Sequence, residues 1–128
     1  MIDIIIPVFN AWQQARACVE SVLAYTDAAD ATVWIIDDAS TDPRIGAWLD
    51  LLAEAGHPQV KILRNEQNLG FVQTVNRGMS QSRRDVVLLN SDTLVTPHWL
   101  QRLRDCADGD PRTATVTPFS NKIGRAHV

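Results

Sequence analysis

Short apolar runs alternate with amphipathic stretches along the chain. Ile2 to Phe9, Thr32 to Ile36, Val60 to Leu63 and Val86 to Asn90 read as strands. The longer of these are apolar on both faces, as strands buried inside a parallel sheet are. Between and after them, apolar residues recur at helical spacing: Trp12, Ala15, Val19, Val22 and Leu23, then Ile45, Trp48, Leu49 and Leu52. Phe71, Val75 and Met79 mark a third helix over 71–82, and Trp99, Leu100, Leu103 and Ala107 a fourth. Asn10 with Gln13 three residues later has the form of a capping box. Asp42-Pro43 and Thr96-Pro97 each place a cap before a proline that suits the first helical position. Gly56-His57-Pro58 ends the second helix. Ala114 to Thr117 is expected to form a fifth strand. Strand and helix in alternation predict an α/β sandwich with a mainly parallel sheet.

Composition narrows the function more than it changes the fold. At 128 residues the chain suits one domain. A net charge of −3, with no basic run and no RNA-reading motif, gives nucleic acid binding little support. The apolar runs fall far short of the ~20 residues that span a bilayer. The first residues read as a strand rather than a signal peptide, so a cytoplasmic setting is expected. Cys18 and Cys106 are too far apart for a metal knuckle, and reduced, packed thiols fit that setting.

The chemistry gathers where strands stop. Ligands of open α/β sheets bind at the carboxyl ends of the strands, near the point where strand order reverses. Two buried strands end there in carboxylates: Asp37-Asp38 after Ile36, and Asn90-Ser91-Asp92 after Leu89. The first strand leads into Pro7-Val8-Phe9-Asn10 with no glycine, so a dinucleotide turn is excluded. A phosphate loop ending in Lys-Ser or Lys-Thr and a Gly-x-Ser-x-Gly elbow are both missing. A phospho-acceptor receiver would carry its acid pair after the first strand, not the second. What remains is an acidic rim that binds its ligand through a divalent cation, magnesium or manganese, which takes one or two carboxylates plus phosphate oxygens. Without a cation, a carboxylate ~4 Å from a phosphate repels it by roughly 4 kcal/mol per charge pair at an effective dielectric of about 20.

Four stretches in order, Ile4 to Asn10, Ile36 to Asp42, Asn68-Leu69-Gly70 and Leu89 to Thr93, resemble the successive motifs of glycosyltransferase family 2. The likeness covers residues 2–121. It implies the GT-A fold, a Rossmann-like three-layer sandwich, and transfer of a sugar, typically with inversion, from a nucleoside-diphosphate sugar. Asn68 to Asn76 and Thr115 to Asn121 most resemble rhamnosyltransferase-like members. By this resemblance Pro7, Phe9 and Asn10 line the base pocket. Asp38, supported by Asp37, accepts from base or ribose. Asn68 and Gly70 lie over the nucleotide with Ser91 nearby, and Asp92 holds the metal. Asn90 stands where the family has its first acid. The donor would be a UDP- or dTDP-sugar; the acceptor, a saccharide, lipid or protein, stays open. The family's general base lies in a second half of the domain, so no catalytic residue is assigned. This chain is then expected to be the donor-binding half of a longer cytoplasmic enzyme of cell-surface polysaccharide synthesis, whose full-length form works at the inner face of the membrane; the alternative is a non-catalytic nucleotide-binding or structural fragment that lacks the catalytic base.

Other conspicuous residues have plainer expectations. The four tryptophans read as packing, His57 and His98 as surface residues, and Arg77, Arg83 and Arg84 as a solvated helix end. Residues 122–128 fit neither the fold nor the family. Ile-Gly-Arg-Ala-His-Val matches a translated sequencing adapter, and we expect a non-native tail; source codons that differ from the adapter would refute this.

Overall fold

The structure, a computed structural model, describes residues 1–108. The expected strand at 114–117, the boundary at 121 and the tail at 122–128 lie outside the described residues, and the side chain of Cys106 is not among those described. Elements follow in the order β1 (Ile2–Val8), α1 (Trp12–Tyr25), β2 (Ala31–Asp37), α2 (Pro43–Glu54), β3 (Val60–Arg64), α3 (Phe71–Ser80), β4 (Asp85–Leu88) and α4 (Trp99–Asp108). The sheet order is β3-β2-β1-β4 with every pair parallel. Val8 lies in register with Asp37, and Asp37 with Arg64, so these strands finish level.

Alternation along β1 divides the core. Ile2, Ile4, Ile6 and Val8 pack with residues of α1, α2 and α4, whereas Ile5 packs with Val75 of α3. Helices therefore cover both faces, giving three layers. Ile4, Ile5 and Ile6 are fully buried. Each contributes about 1.5–3 kcal/mol of transfer free energy. The chain runs β1 to β2 to β3 in one direction and then returns to the far side of β1 for β4. Right-handed crossovers made in opposite directions put their helices on opposite faces, which is why α3 stands alone on its side. The reversal leaves a crevice between the carboxyl ends of β1 and β4.

Several local expectations need correction. Asn10 does not cap α1: Ala11 holds the cap position in left-handed geometry (φ 50°) with no side-chain bond, so the capping box with Gln13 does not form. Helix α3 stops at Ser80, and α4 starts at Trp99, after His98 at φ 65°. Thr96-Pro97 thus makes a turn, in which Trp99 N donates to Thr96 O at 3.2 Å. Asp42 does cap α2, accepting from Arg44 N at 2.9 Å. Trp99 is buried, and its Nε1 donates to Thr26 Oγ1 at 2.8 Å. Arg84 lies 3.7 Å from the buried Asp3. Among the described residues no helix is long and apolar enough to cross a membrane.

Helix α3 comes unusually close to the sheet at Gly78. A Cβ there would collide with Ile36 Cδ1 and lie 2.8 Å from Ile5 Cγ2. Helix propensity alone favours alanine by about 1 kcal/mol, but overpacking of a filled core costs about 1–3 kcal/mol. Gly78→Ala is therefore expected to lower stability by about 1–2 kcal/mol in a denaturant titration. A midpoint equal to or above that of the parent would contradict the close approach.

Candidate functional site

A cleft of about 570 Å³ opens at the crevice where strand order reverses. The end of β1 and the turn after it supply Pro7, Val8, Phe9 and Ala11, and the turn after β4 supplies Asn90, Ser91 and Asp92. Asp38, after β2, and Asn68 and Gly70, before α3, form the remaining wall with Phe71 and Thr74. Seven residues singled out in the sequence thus come together: Pro7, Phe9, Asp38, Asn68, Gly70, Ser91 and Asp92. Asn10 and Asp37 do not line the cleft. Both act one layer behind it.

Asn10 clasps two loops. Its Oδ1 accepts from Thr41 N at 2.8 Å and Asp42 N at 2.9 Å, and its Nδ2 donates to Thr41 Oγ1 at 3.0 Å. Its own N–H donates to Ser40 Oγ at 2.8 Å. Asn10 and Ala11 both have positive φ, 53° and 50°. Asparagine tolerates that region better than most residues, and the clasp holds it there. Asp37 is buried and closes its own turn, its Oδ1 accepting from Ser40 N at 3.0 Å.

Asp38 organises the opposite wall. Its side chain is nearly buried, at 4% exposure, yet it is surrounded by donors. Oδ1 accepts from Leu69 N at 2.7 Å and Asn65 Nδ2 at 2.9 Å, and Oδ2 accepts from Gly70 N at 3.0 Å. Asn68 Nδ2 in turn donates to the Asp38 carbonyl at 3.2 Å. Burial pushes the carboxyl pKa up, but the hydrogen bonds from Leu69, Asn65, Thr74 and Gly70 outweigh it and hold the pKa below its ordinary value. Gly70 sits at φ 88°, where a side chain would be strained, and it leads directly into α3. Asp38 is thus the anchor of the loop that ends at this helix N-terminus.

The turn that carries Asp92 rests on α1. Ser21 Oγ accepts from Val95 N at 3.1 Å and donates to Cys18 O at 2.7 Å. The buried Cys18 thiol donates to Asn90 O at 3.6 Å. Burial pushes that thiol up to about 12; the Thr93 N–H lowers it and nearby Asp92 raises it, so it stays protonated as a weak donor. Asp92 itself is exposed. Among the described residues, no three His, Cys, Asp or Glu side chains converge. A lone exposed carboxylate does not build a cage. It does suit magnesium or manganese, which commonly take one or two carboxylates and complete their shell with substrate phosphate and water.

Several participants escaped the sequence reading. Phe71, read with Val75 and Met79 as part of the apolar stripe of the third helix, lines the cleft at 55% exposure, much as Phe9 does at 49%. Its place directly after Gly70 was the available signal, since the first turn of a helix faces whatever the preceding loop faces. Arg77 is half-buried rather than solvated and donates to Asn65 Oδ1. His57 and His98 are exposed, as expected.

Residues 3–125 match the family model described as glycosyl transferase family 2. Glycosyltransferase GlyG of Streptococcus pneumoniae is 26% identical over 104 residues, which span 80% of this chain and 34% of that protein. The chain spans about a third or less of the curated relatives it matches, from 11% to 34% of their lengths. Among solved structures, GalNAc-T7 with UDP, GalNAc and Mn2+ superposes with a TM-score of 0.75 at 23% identity, over 86% of this chain and 21% of that one. S. aureus TarS 1–349 in complex with UDP-GlcNAc gives 0.70 at 20% identity, over 84% of this chain and 31% of that one. The fold is thus that of GT-A glycosyltransferases.

Proposed function

The chain belongs to glycosyl transferase family 2, and we propose that it forms the donor site of an enzyme that moves a sugar from a nucleoside-diphosphate sugar to an acceptor. One observation carries this reading: a single crevice joins an aromatic wall with a buried carboxylate to an exposed carboxylate on the facing turn. The two ends of a nucleoside diphosphate differ in the same way.

At the base end, Phe9 and Phe71 offer exposed rings for stacking, worth about 1–3 kcal/mol per base, and Pro7, near the end of β1, lines the same wall. Asp38 Oδ2, bonded to one N–H where Oδ1 is bonded to two, keeps acceptor capacity for an N–H of uracil or thymine or for a ribose hydroxyl. Asn68 and Gly70 close over the nucleotide beside the α3 N-terminus, which favours anions. Asn10 and Asp37 serve by holding their loops. At the phosphate end, Ser91 flanks the diphosphate and Asp92 holds the cation. When bound, that cation neutralises charge on the departing nucleoside diphosphate. That GalNAc-T7 was solved with UDP, GalNAc and Mn2+ and TarS with UDP-GlcNAc supports a nucleotide-sugar donor and a divalent cation here. Inversion, a rhamnosyl-type donor and a role in cell-surface polysaccharide synthesis rest on the motif likeness.

Calorimetric titration of UDP and dTDP into the folded chain, with and without manganese, tests the reading. Binding of at least one of them, tightened by manganese, is expected. A folded protein that binds neither would overturn it.

A further inference from the structure

We infer that Asn65 and Arg77 are positioning residues for the nucleobase wall, acting through Asp38; this rests on the donor-site reading above. Neither residue lines the cleft. Asn65 is buried in the loop after β3, and Arg77 lies on α3, one helical turn beyond Thr74. Arg77 Nη1 donates to Asn65 Oδ1. A guanidinium has donors only, so this contact fixes the orientation of the Asn65 amide. Its NH2 must then point the other way, and both hydrogens are used: Nδ2 donates to Asp38 Oδ1 at 2.9 Å and to Thr74 Oγ1 at 3.0 Å.

The consequence reaches the cleft. Asp38 Oδ1 is held by Asn65 and Leu69 together, which sets the rotation of the carboxylate and leaves Oδ2 beside Gly70. Asn65 N also donates to Asp37 O at 2.8 Å, so the same residue ties the loop backbone to the end of β2. Without the arginine, Asn65 Oδ1 loses its donor and the amide is held only through Nδ2 by Asp38 and Thr74, so the carboxylate that it orients is held less firmly. The base wall would then lose its fixed acceptor, although no ligand contact had been removed.

The probe is uridine monophosphate without added metal, because it reads the base end and not the cation at Asp92. Arg77→Met is expected to weaken its binding by about tenfold, the effect of losing one charged hydrogen bond's worth of order. The factor by which manganese tightens UDP should stay as in the parent, and Arg77→Lys, which restores an N–H donor, should recover part of the loss. Asn65→Asp keeps the shape but removes the donor to Asp38. Its binding is expected to be weak at pH 8 and to recover toward pH 5, as the new carboxyl and Asp38 come to share a proton beside Arg77. If Arg77→Met does not fold, this pH profile carries the test alone. Parent-like UMP affinity in folded Arg77→Met, or in Asn65→Asp across that pH range, overturns the inference. So does an equal loss of the manganese effect, which would indicate general loosening. If the parent itself binds neither UMP nor UDP, it is the donor-site reading that fails, and this inference with it.

Discussion

Asp92→Ala is expected to abolish the manganese-dependent part of UDP binding while leaving the fold intact. The side chain is exposed, and among the described residues it takes part in no hydrogen bond or ion pair that its loss would leave unpaired. Surface substitutions of that kind usually change stability by less than about 0.5 kcal/mol. Affinity is another matter. Removing an outer-shell partner of a metal site typically costs about 10–100-fold, and the proposed ligand itself should cost at least about 100-fold of the metal-dependent gain. Titration in the presence of manganese should therefore give the variant the same affinity as the parent in chelator, with an unchanged melting temperature. A variant that still tightens on UDP when manganese is added would move the cation to another residue.

Asp38→Asn should act in the opposite sense, on the fold first. The substitution is isosteric, but it replaces an acceptor of the Leu69, Gly70 and Asn65 donors by an NH2 group. Hydrogen bonds to a buried charge contribute about 1.5–3 kcal/mol, and a donor left facing a donor adds the desolvation of both. A loss of about 2–4 kcal/mol in chemical denaturation is expected. The acid dependence gives a separate check. The Asp38 pKa lies below its ordinary value of 3.8 in the folded chain. Such a group binds more protons unfolded than folded between the two pKa values, so stability rises with pH there. Its contribution is complete above the ordinary value and is lost as pH falls through the depressed one. Asp38→Asn should remove that part of the acid destabilisation, so the difference between variant and parent narrows as pH drops below about 3.8. A constant difference down to pH 2 would mean that the carboxylate charge is not what holds the loop.

These expectations separate residues that the sequence made visible from those it did not. Asp38 and Asp92 were legible because the one follows β2 directly and the other lies in the turn after β4, and the carboxyl end of a parallel strand is a defined place in this architecture. Gly70 was legible as part of a short motif before a helical stripe. Asn10 was visible but given the wrong task. Its neighbour Ala11 adopts φ 50°, a geometry that alanine does not advertise, and this turns Asn10 away from the helix and onto Thr41 and Asp42. Asn65 and Arg77 showed no signal at all. A polar residue in a loop and a basic residue on a helix match a solvated surface until the path of the chain brings them together over Asp38.

The sequence by itself determined the α/β class, the four described strands and helices, the family and the strand ends at which polar chemistry collects. Hydrophobic period and punctuation are local, and local patterns are sufficient to set element type and burial. Only the tertiary structure decided that β4 returns beside β1, so that turns about 80 residues apart share one crevice. Only it decided which polar side chains face that crevice and which bind one another behind it. A hydrogen bond needs its partner within about 3 Å and in line, and that requirement is met or missed by the loop backbone, where left-handed residues such as Ala11 and Ala39 carry no mark in the sequence.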